Sequence, residues 1–517
     1  IEVKKLGAGA QSHMVSVHPK QDSLQFMAGS AKFSLVPSLL EGYDIPKIEV
    51  ADANIMPDSG YVAIEKAAFM RTLEKAVILA NRTEKFHNFY ESTVAVKSRN
   101  MYQASGYLEY IDEDETPWPL YFESIKPDTS GTTLGLANVK QEDQFFISPF
   151  FGYYGKVLLR APEKNLTFDG YTLIQHSCPN IQTTWFKFKS VINPKKIVIV
   201  LPEDNLATRG DNLYNGIYLA PDSTSGYSAF LSRESAKADQ EIIASTGVLF
   251  YDKDLFSYIV ASPEKVEDPT APGNYLALNN KDCYTTGKGA IAFADKAGRI
   301  EMGSYGIVTH DLESDAIKLD MLLGFDFFFN EDILKVLAEQ LKAATELKGS
   351  NNSREAYKIA LDNILTPKER AKYDEEVSSF GAAEKVPKPL RHTLTFNEIV
   401  LEFNPETNSF VSAGPIGIGS ILDEGVNKQV YGIVEIMRKR RGDEVYIYLE
   451  LGGGDYYYFQ YKRNVMQFYC TDKDVMSKLL ETDTDKRSLK AEEGKPPYVY
   501  NAASKGKVNL FLQRFEE

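Results

Sequence analysis

The sequence predicts a mainly β protein: elongated, jelly-roll or solenoid-like β-repeats with a small three-helix insert and a C-terminal antiparallel β-meander. Three observations carry that prediction. Short runs alternate apolar and polar residues along most of the chain, the aromatic residues are 30 Tyr and 29 Phe against 2 Trp, and one two-strand phrase appears four times. Alternation with period two sets successive apolar side chains on one sheet face. Aromatic residues pack well on such half-buried, pleated surfaces.

The phrase occupies Ser92 to Tyr110, Gly155 to Tyr171, Gly289 to Val308 and Ile399 to Ile418. In each copy two apolar residues two apart (Val94 and Val96; Val157 and Leu159; Ile291 and Phe293; Leu401 and Phe403) precede a polar connection. A second pair follows: Tyr102 and Ala104, Leu166 and Phe168, Ile300 and Met302, or Phe410 with Ser412. Connections such as "APEKN" and "NPETNS" carry Pro and Asn where a type I turn places them, so each copy reads as a hairpin. The glycine that follows, Gly106, Gly170, Gly303 or Gly414, suits a structural turn, meaning a bulge or a sharp corner where the sheet bends. Uneven spacing between copies argues against a solenoid of identical rungs.

Val157 to Gly170 and, less closely, Val94 to Gly106 resemble the OstA-type repeat of lipopolysaccharide-transport proteins, and the chain is similar to other long repetitive β-proteins of the bacterial cell envelope. The resemblance implies an elongated, open-ended β-jelly-roll and a periplasmic or outer-membrane-associated location. The family's lipid-carrying role does not follow, because no basic rim for an anionic lipid is visible.

Along the chain, residues 1–150 and 151–329 read as two β-repeat regions. Helical signals cluster in residues 330–384. "NEDILKVLAEQLKAATELK" begins at Asn330, a good N-cap, with Leu334, Leu337 and Leu341 at helical spacing. "SREAYKIALDNIL" is a second helix, and the third opens with Thr366, Pro367 and Glu369, a capping box with proline at the first helical position. Residues 390–517 form the meander region. Within it, the run from Val430 to Cys470 reads as three strands joined by turns at Arg441-Gly442-Asp443 and Gly452-Gly453-Gly454-Asp455. Beyond Thr471 a short helix, a charged loop and a closing strand "KVNLFLQRF" are expected.

At 517 residues the chain exceeds one ordinary core, and 43% hydrophobic with 25% charged residues is a folded composition. A formal net charge of −14 argues against nucleic-acid partners and against coating anionic membranes, since either needs a basic field. The longest basic run is Arg438 to Arg441, read first as a solvated hairpin tip. No run of eighteen apolar residues occurs, so no transmembrane helix is expected. Ile1 stands inside a strand-like run, as though a preceding segment continued the same sheet.

Candidate chemistry is sparse. Cys178, Cys283 and Cys470 lie more than about a hundred residues apart, which excludes a CxxC motif and leaves room for one long-range pair. The 6 histidines show no ligand spacing, so no metal and no cofactor is expected. His176 and Cys178 stand two apart, a Cys–His arrangement less common than an inert buried thiol. "GPIGIG" (Gly414 to Gly419) lacks the lysine and hydroxyl of a phosphate loop. "YIDEDETPW" and "LPEDN" are the densest acidic spots beside strands. In the ladder from Tyr456 to Tyr461, Tyr456 and Tyr458 share one face, which suits a protein partner or a glycan if it is open.

These residues point to a non-enzymatic structural or adaptor protein of a bacterial envelope assembly. It would bind protein partners through strand edges and through Tyr456, Tyr458, Arg438 and Arg440. The alternative is a carbohydrate-active or glycan-binding protein on a β-helix or jelly-roll frame, whose mark is a concave groove with paired carboxylates and nearby aromatics. A weaker alternative is an amphiphile conduit, which needs a continuous apolar groove.

Overall fold

The computed structural model describes residues 2–5, 11–201, 210–220, 225–232, 239–292, 298–383, 385–439 and 442–516. They form a mainly β structure of several sheets with a short helical insert and a large C-terminal antiparallel sheet. Two units divide the chain: residues 1–176 with 183–212, and residues 177–182 with 213–517.

In the first unit, neighbours in the main sheet are almost always neighbours in sequence. The order starts at Glu2–Lys5 and reaches Leu73–Ala80; His87–Ser98, Met101–Ile111, Pro117–Pro127, Thr133–Val139, Phe151–Arg160, Leu166–Ile174 and Phe186–Ile192 then follow, each antiparallel to the one before. Alternation decides the faces. Val94, Val96, Tyr102, Phe122, Val157 and Phe168 are buried, while the residues between them face out. The buried face packs on itself, as the edge-on rings of Phe89 and Phe122, and of Tyr110 and Phe168, show. Its deep polar groups are satisfied: the Tyr102 hydroxyl and Thr133 Oγ1 lie 2.7 Å apart, the Thr133 amide donates to Asp52, and the Tyr110 hydroxyl donates to the Ile147 carbonyl. A small separate sheet of Ser30–Ser34, Leu39–Tyr43 and Val62–Ile64 completes this unit.

In the second unit the main sheet passes from Val248–Asp252 through Glu301–Asp311, Ile317–Asp326, His392–Asn404, Ser409–Leu422, Glu424–Met437, Glu444–Gly452 and Asp455–Lys462 to Val465–Cys470. The helical insert interrupts it between Ile317–Asp326 and His392–Asn404, which nevertheless pair directly. The insert folds as its caps dictate. Asn330 accepts from the amides of Asp332 and Ile333, Thr366 and Glu369 close the capping box, and Gly381 ends the third helix with φ 76°. Tyr357, Leu361, Tyr373, Val386 and Leu390 then pack with Leu322 of the sheet, each worth roughly 1.5–3 kcal/mol on burial.

Several expectations need correction. The change of region at residue 150 falls inside a strand pair, Phe145–Ser148 with Phe151–Arg160, so no boundary lies there. The meander has four strands where three were read, because Arg463 and Asn464 (φ 52° and 65°) turn the last one back on itself. "KVNLFLQRF" is a helix, Lys505–Leu512, not a strand. Its Val508 and Phe511, three apart, bury one helical face against tyrosines, and a short apolar run does not distinguish the two periods. The last strand in sequence is Tyr498–Ala502, which runs parallel to Val465–Cys470 and carries Ser488–Leu489 at its outer side.

Three of the four repeated phrases are antiparallel hairpins. In the third, Ile291 lies past the end of Tyr284–Ala290, and Phe293 is outside the described residues. None of the four glycines is in a turn; all stand inside strands. Gly106 sits at a bulge against Ser92. Gly170 faces Gly155, where a Cβ would strike the Tyr153 hydroxyl and the opposite backbone. Gly303 faces Gly324, with the His392 ring over the pair.

Candidate functional site

The expected partner face is largely closed. Tyr458 is 1% exposed, with the Phe511 ring 5.4 Å away, and Tyr456 is half-buried between Tyr448 and Tyr469. Arg438 folds back toward Asp443 at 3.6 Å, and Arg440 lies outside the described residues. Cys178 is bonded to Cys283, so no Cys178–His176 nucleophile exists. Within "YIDEDETPW", Asp112 is buried and organises its own turn, accepting from the amides of Asp114 and Thr116 and from Trp118 Nε1. Most of "LPEDN" falls outside the described residues. Among the described residues no cluster of three metal-binding side chains occurs.

A trough forms instead on the outward face of the second unit. Along Ile317–Asp326 and His392–Asn404 the buried residues Leu319, Met321, Ile399 and Leu401 alternate with outward Lys318, Asp320, Glu398, Val400 and Glu402. Register sets Lys318 opposite Glu402 and Asp320 opposite Val400. On the other side the strand Ser409–Leu422 loses step. Glu402 pairs with Val411 and Glu398 with Gly417, so residues 399–401 face the longer run 412–416. Gly414 (φ 129°) and Pro415 occupy that run. A left-handed glycine and a proline without an amide hydrogen are the residues that a bulge tolerates. The hollow encloses about 860 Å³.

The insert supplies one wall. Asn397 Nδ2 donates to Asn352 Oδ1 and Asn427 Oδ1, and Glu398 Oε2 accepts from the Asn351 amide at 2.8 Å. These bonds fix the loop that carries Arg354 to the trough, where it pairs with Asp320. The buried Arg354 Nη1 has no hydrogen-bond partner among the described residues. Burial pushes the Asp320 carboxyl above its ordinary range; Arg354 pulls it down, and the nearby Glu398 charge raises it again. At the mouth, Lys318 and Glu402 form an exposed pair at 3.1 Å. The lining therefore offers carboxylate acceptors beside guanidinium and ammonium donors, with Pro415 leading across the sheet to a half-exposed Tyr431.

A Ser228–His310–Asp315 line went unseen in the sequence because 82 residues separate the first two. Ser228 Oγ is 2.7 Å from His310 Nδ1, and His310 Nε2 is 2.9 Å from Asp315 Oδ1. Its burial is the reverse of a hydrolase: Ser228 is enclosed against Thr285 while Asp315 is exposed. An acyl substrate cannot reach the hydroxyl, so the line is a polar brace across the core.

No protein-family model, curated protein or solved structure matches the chain.

Proposed function

We propose that the chain is a carbohydrate-binding scaffold protein of a bacterial envelope assembly, and that the trough of the second unit holds a neutral sugar. The observation that carries this is the mixed lining: Asp320, Glu398 and Glu402 as acceptors, with Lys318 and the Arg354 guanidinium as donors. Sugar hydroxyls both donate and accept, so they match a lining of both signs. An amphiphile would meet charge where it needs an apolar groove. The Cys178–Cys283 bond supports an oxidising compartment outside the cytosol.

The test is an oligosaccharide array followed by calorimetry on Glu398→Gln, Glu402→Gln and Arg354→Lys. Losing one charge-assisted hydrogen bond should weaken binding roughly tenfold. A blank array, or affinity unchanged in all three variants, overturns the assignment.

An adaptor for protein partners is the second reading. It is favoured by the tip of the Ser30–Ser34 and Leu39–Tyr43 hairpin, where Leu35 and Val36 are 80% and 91% exposed. The elongated jelly-roll or solenoid arrangement belongs to the same proposal, supported by the sequential strand order. A rod-like small-angle scattering profile is its expected result, and a compact one counts against it.

A further inference from the structure

The outward face of the first unit carries its own row of tyrosines. Tyr90 pairs with Tyr107, and Tyr107 with Tyr121, on three neighbouring strands, with ring centroids 5.9 and 5.0 Å apart. Tyr107 and Tyr121 are 39% and 49% exposed. The cross-strand line continues beyond them. Phe122 pairs with Ala137, which sets Asn138 beside Tyr121; Asn138 then pairs with Lys156, Lys156 with Asp169, and Asp169 with Lys189. On the next line of the same face, Tyr154 stacks on Tyr171 at 5.0 Å, and Tyr171 pairs with Lys187. Asp169 holds Lys189 at 3.2 Å, whereas Lys156 and Lys187 form no ion pair among the described residues.

We propose that this face binds a polysaccharide strand carrying carboxylate groups, laid across the β-strands. Its backbone groups are already used by sheet neighbours, so a peptide finds no ladder to join. The exposed aromatic rings offer flat faces for the C–H side of sugar rings, and their hydroxyls remain available for hydrogen bonds. Exposed Glu109 and Glu123 flank the tyrosines, so that end makes ring contacts only and turns the polymer's carboxylates away from itself. The acidic groups of the polymer are read at the other end, where Lys156 and Lys187 supply the complementary charge. None of these residues touches the trough, so this surface and the trough can fail separately.

The experiment is affinity electrophoresis and calorimetry of the full chain with polygalacturonate, a neutral β-glucan and polyglutamate. Polygalacturonate should bind. The Tyr107→Ala/Tyr121→Ala double variant should weaken it roughly tenfold, Tyr107→Phe should keep it, and Glu398→Gln in the trough should leave it unchanged. Lys156→Gln, an exposed change that does not disturb folding, should weaken binding several-fold, and added salt should do the same. Absence of polygalacturonate binding, or binding indifferent to the tyrosines, overturns the proposal. So does equal affinity for the neutral glucan with no effect of Lys156→Gln, and so does polyglutamate binding that shows the same tyrosine dependence.

Discussion

Two rows of three tyrosines are built alike and end differently. Tyr90, Tyr107 and Tyr121 lie side by side on three strands of the first unit, and Tyr448, Tyr458 and Tyr469 do the same on three strands of the second. Both rest on the same rule, that directly opposed residues of antiparallel neighbours share one sheet face; in the first the rings meet in line, and in the second Tyr456 lies between Tyr448 and Tyr469. The first row faces water. The second lies beneath the helix Lys505–Leu512, whose Phe511 stacks on Tyr446 at an interplanar angle of 7°. Arg514 secures that cover by pairing with the buried Glu435. Strand alternation therefore decides which rings form a row, and a remote segment decides whether the row is a surface or a core.

The comparison can be broken most forcefully at the cover. Phe511→Ala should destabilise the second unit by about 3–5 kcal/mol and leave the first unchanged, with denaturant unfolding followed by hydrogen exchange reporting each unit. Equal loss in both units would mean that they do not unfold independently. Tyr107→Ala sharpens the contrast from the other side. A half-exposed member of a cross-strand pair should change stability by under about 1 kcal/mol, and a loss near that of Phe511→Ala would show the first row to be a core as well.

The smallest effect expected is in the pH dependence of the second unit. Burial and Glu398 hold the Asp320 carboxyl above its unfolded value, against Arg354 and Lys318. The folded state then binds that proton more tightly than the unfolded chain. Wild type should gain stability relative to Asp320→Asn as pH falls through the raised value, down to the ordinary carboxylate range. The first unit contains no part of this cluster and should show no such difference; a flat difference in the second would remove Asp320 as the titrating group.

Much of the frame is written locally. The caps at Asn330 and Thr366, the hairpins around Val94 and Val157, and the turn at Gly452 to Asp455 are decided by residues within a few positions. The sites were less legible because they are assembled across distance. The trough joins Asp320 to Glu398 over the intervening helices, and only the Gly414-Pro415 bulge was marked in the sequence, as a glycine where a sheet bends. Tyr458 carried the right alternation and the wrong surroundings, since nothing near it announces Lys505–Leu512. The Cys178–Cys283 partnership, 105 residues apart, was an open possibility that spacing alone could not decide.

The strand order has a consequence of another kind. In both large sheets nearly every strand is hydrogen-bonded to the one made just before it and the one made just after. Pairings of low sequence separation form quickly, because little chain entropy is lost in closing each hairpin. The exceptions include the return across the helical insert, the parallel strand Tyr498–Ala502, the pairing of Gln25–Ala28 with Ile48–Val50, the pairing of Ile199–Val200 with Val248–Asp252, and the disulfide. A chain ordered in this way can lay down its sheets as it leaves the ribosome. Over evolutionary time it can gain or lose a hairpin without redirecting the strands on either side.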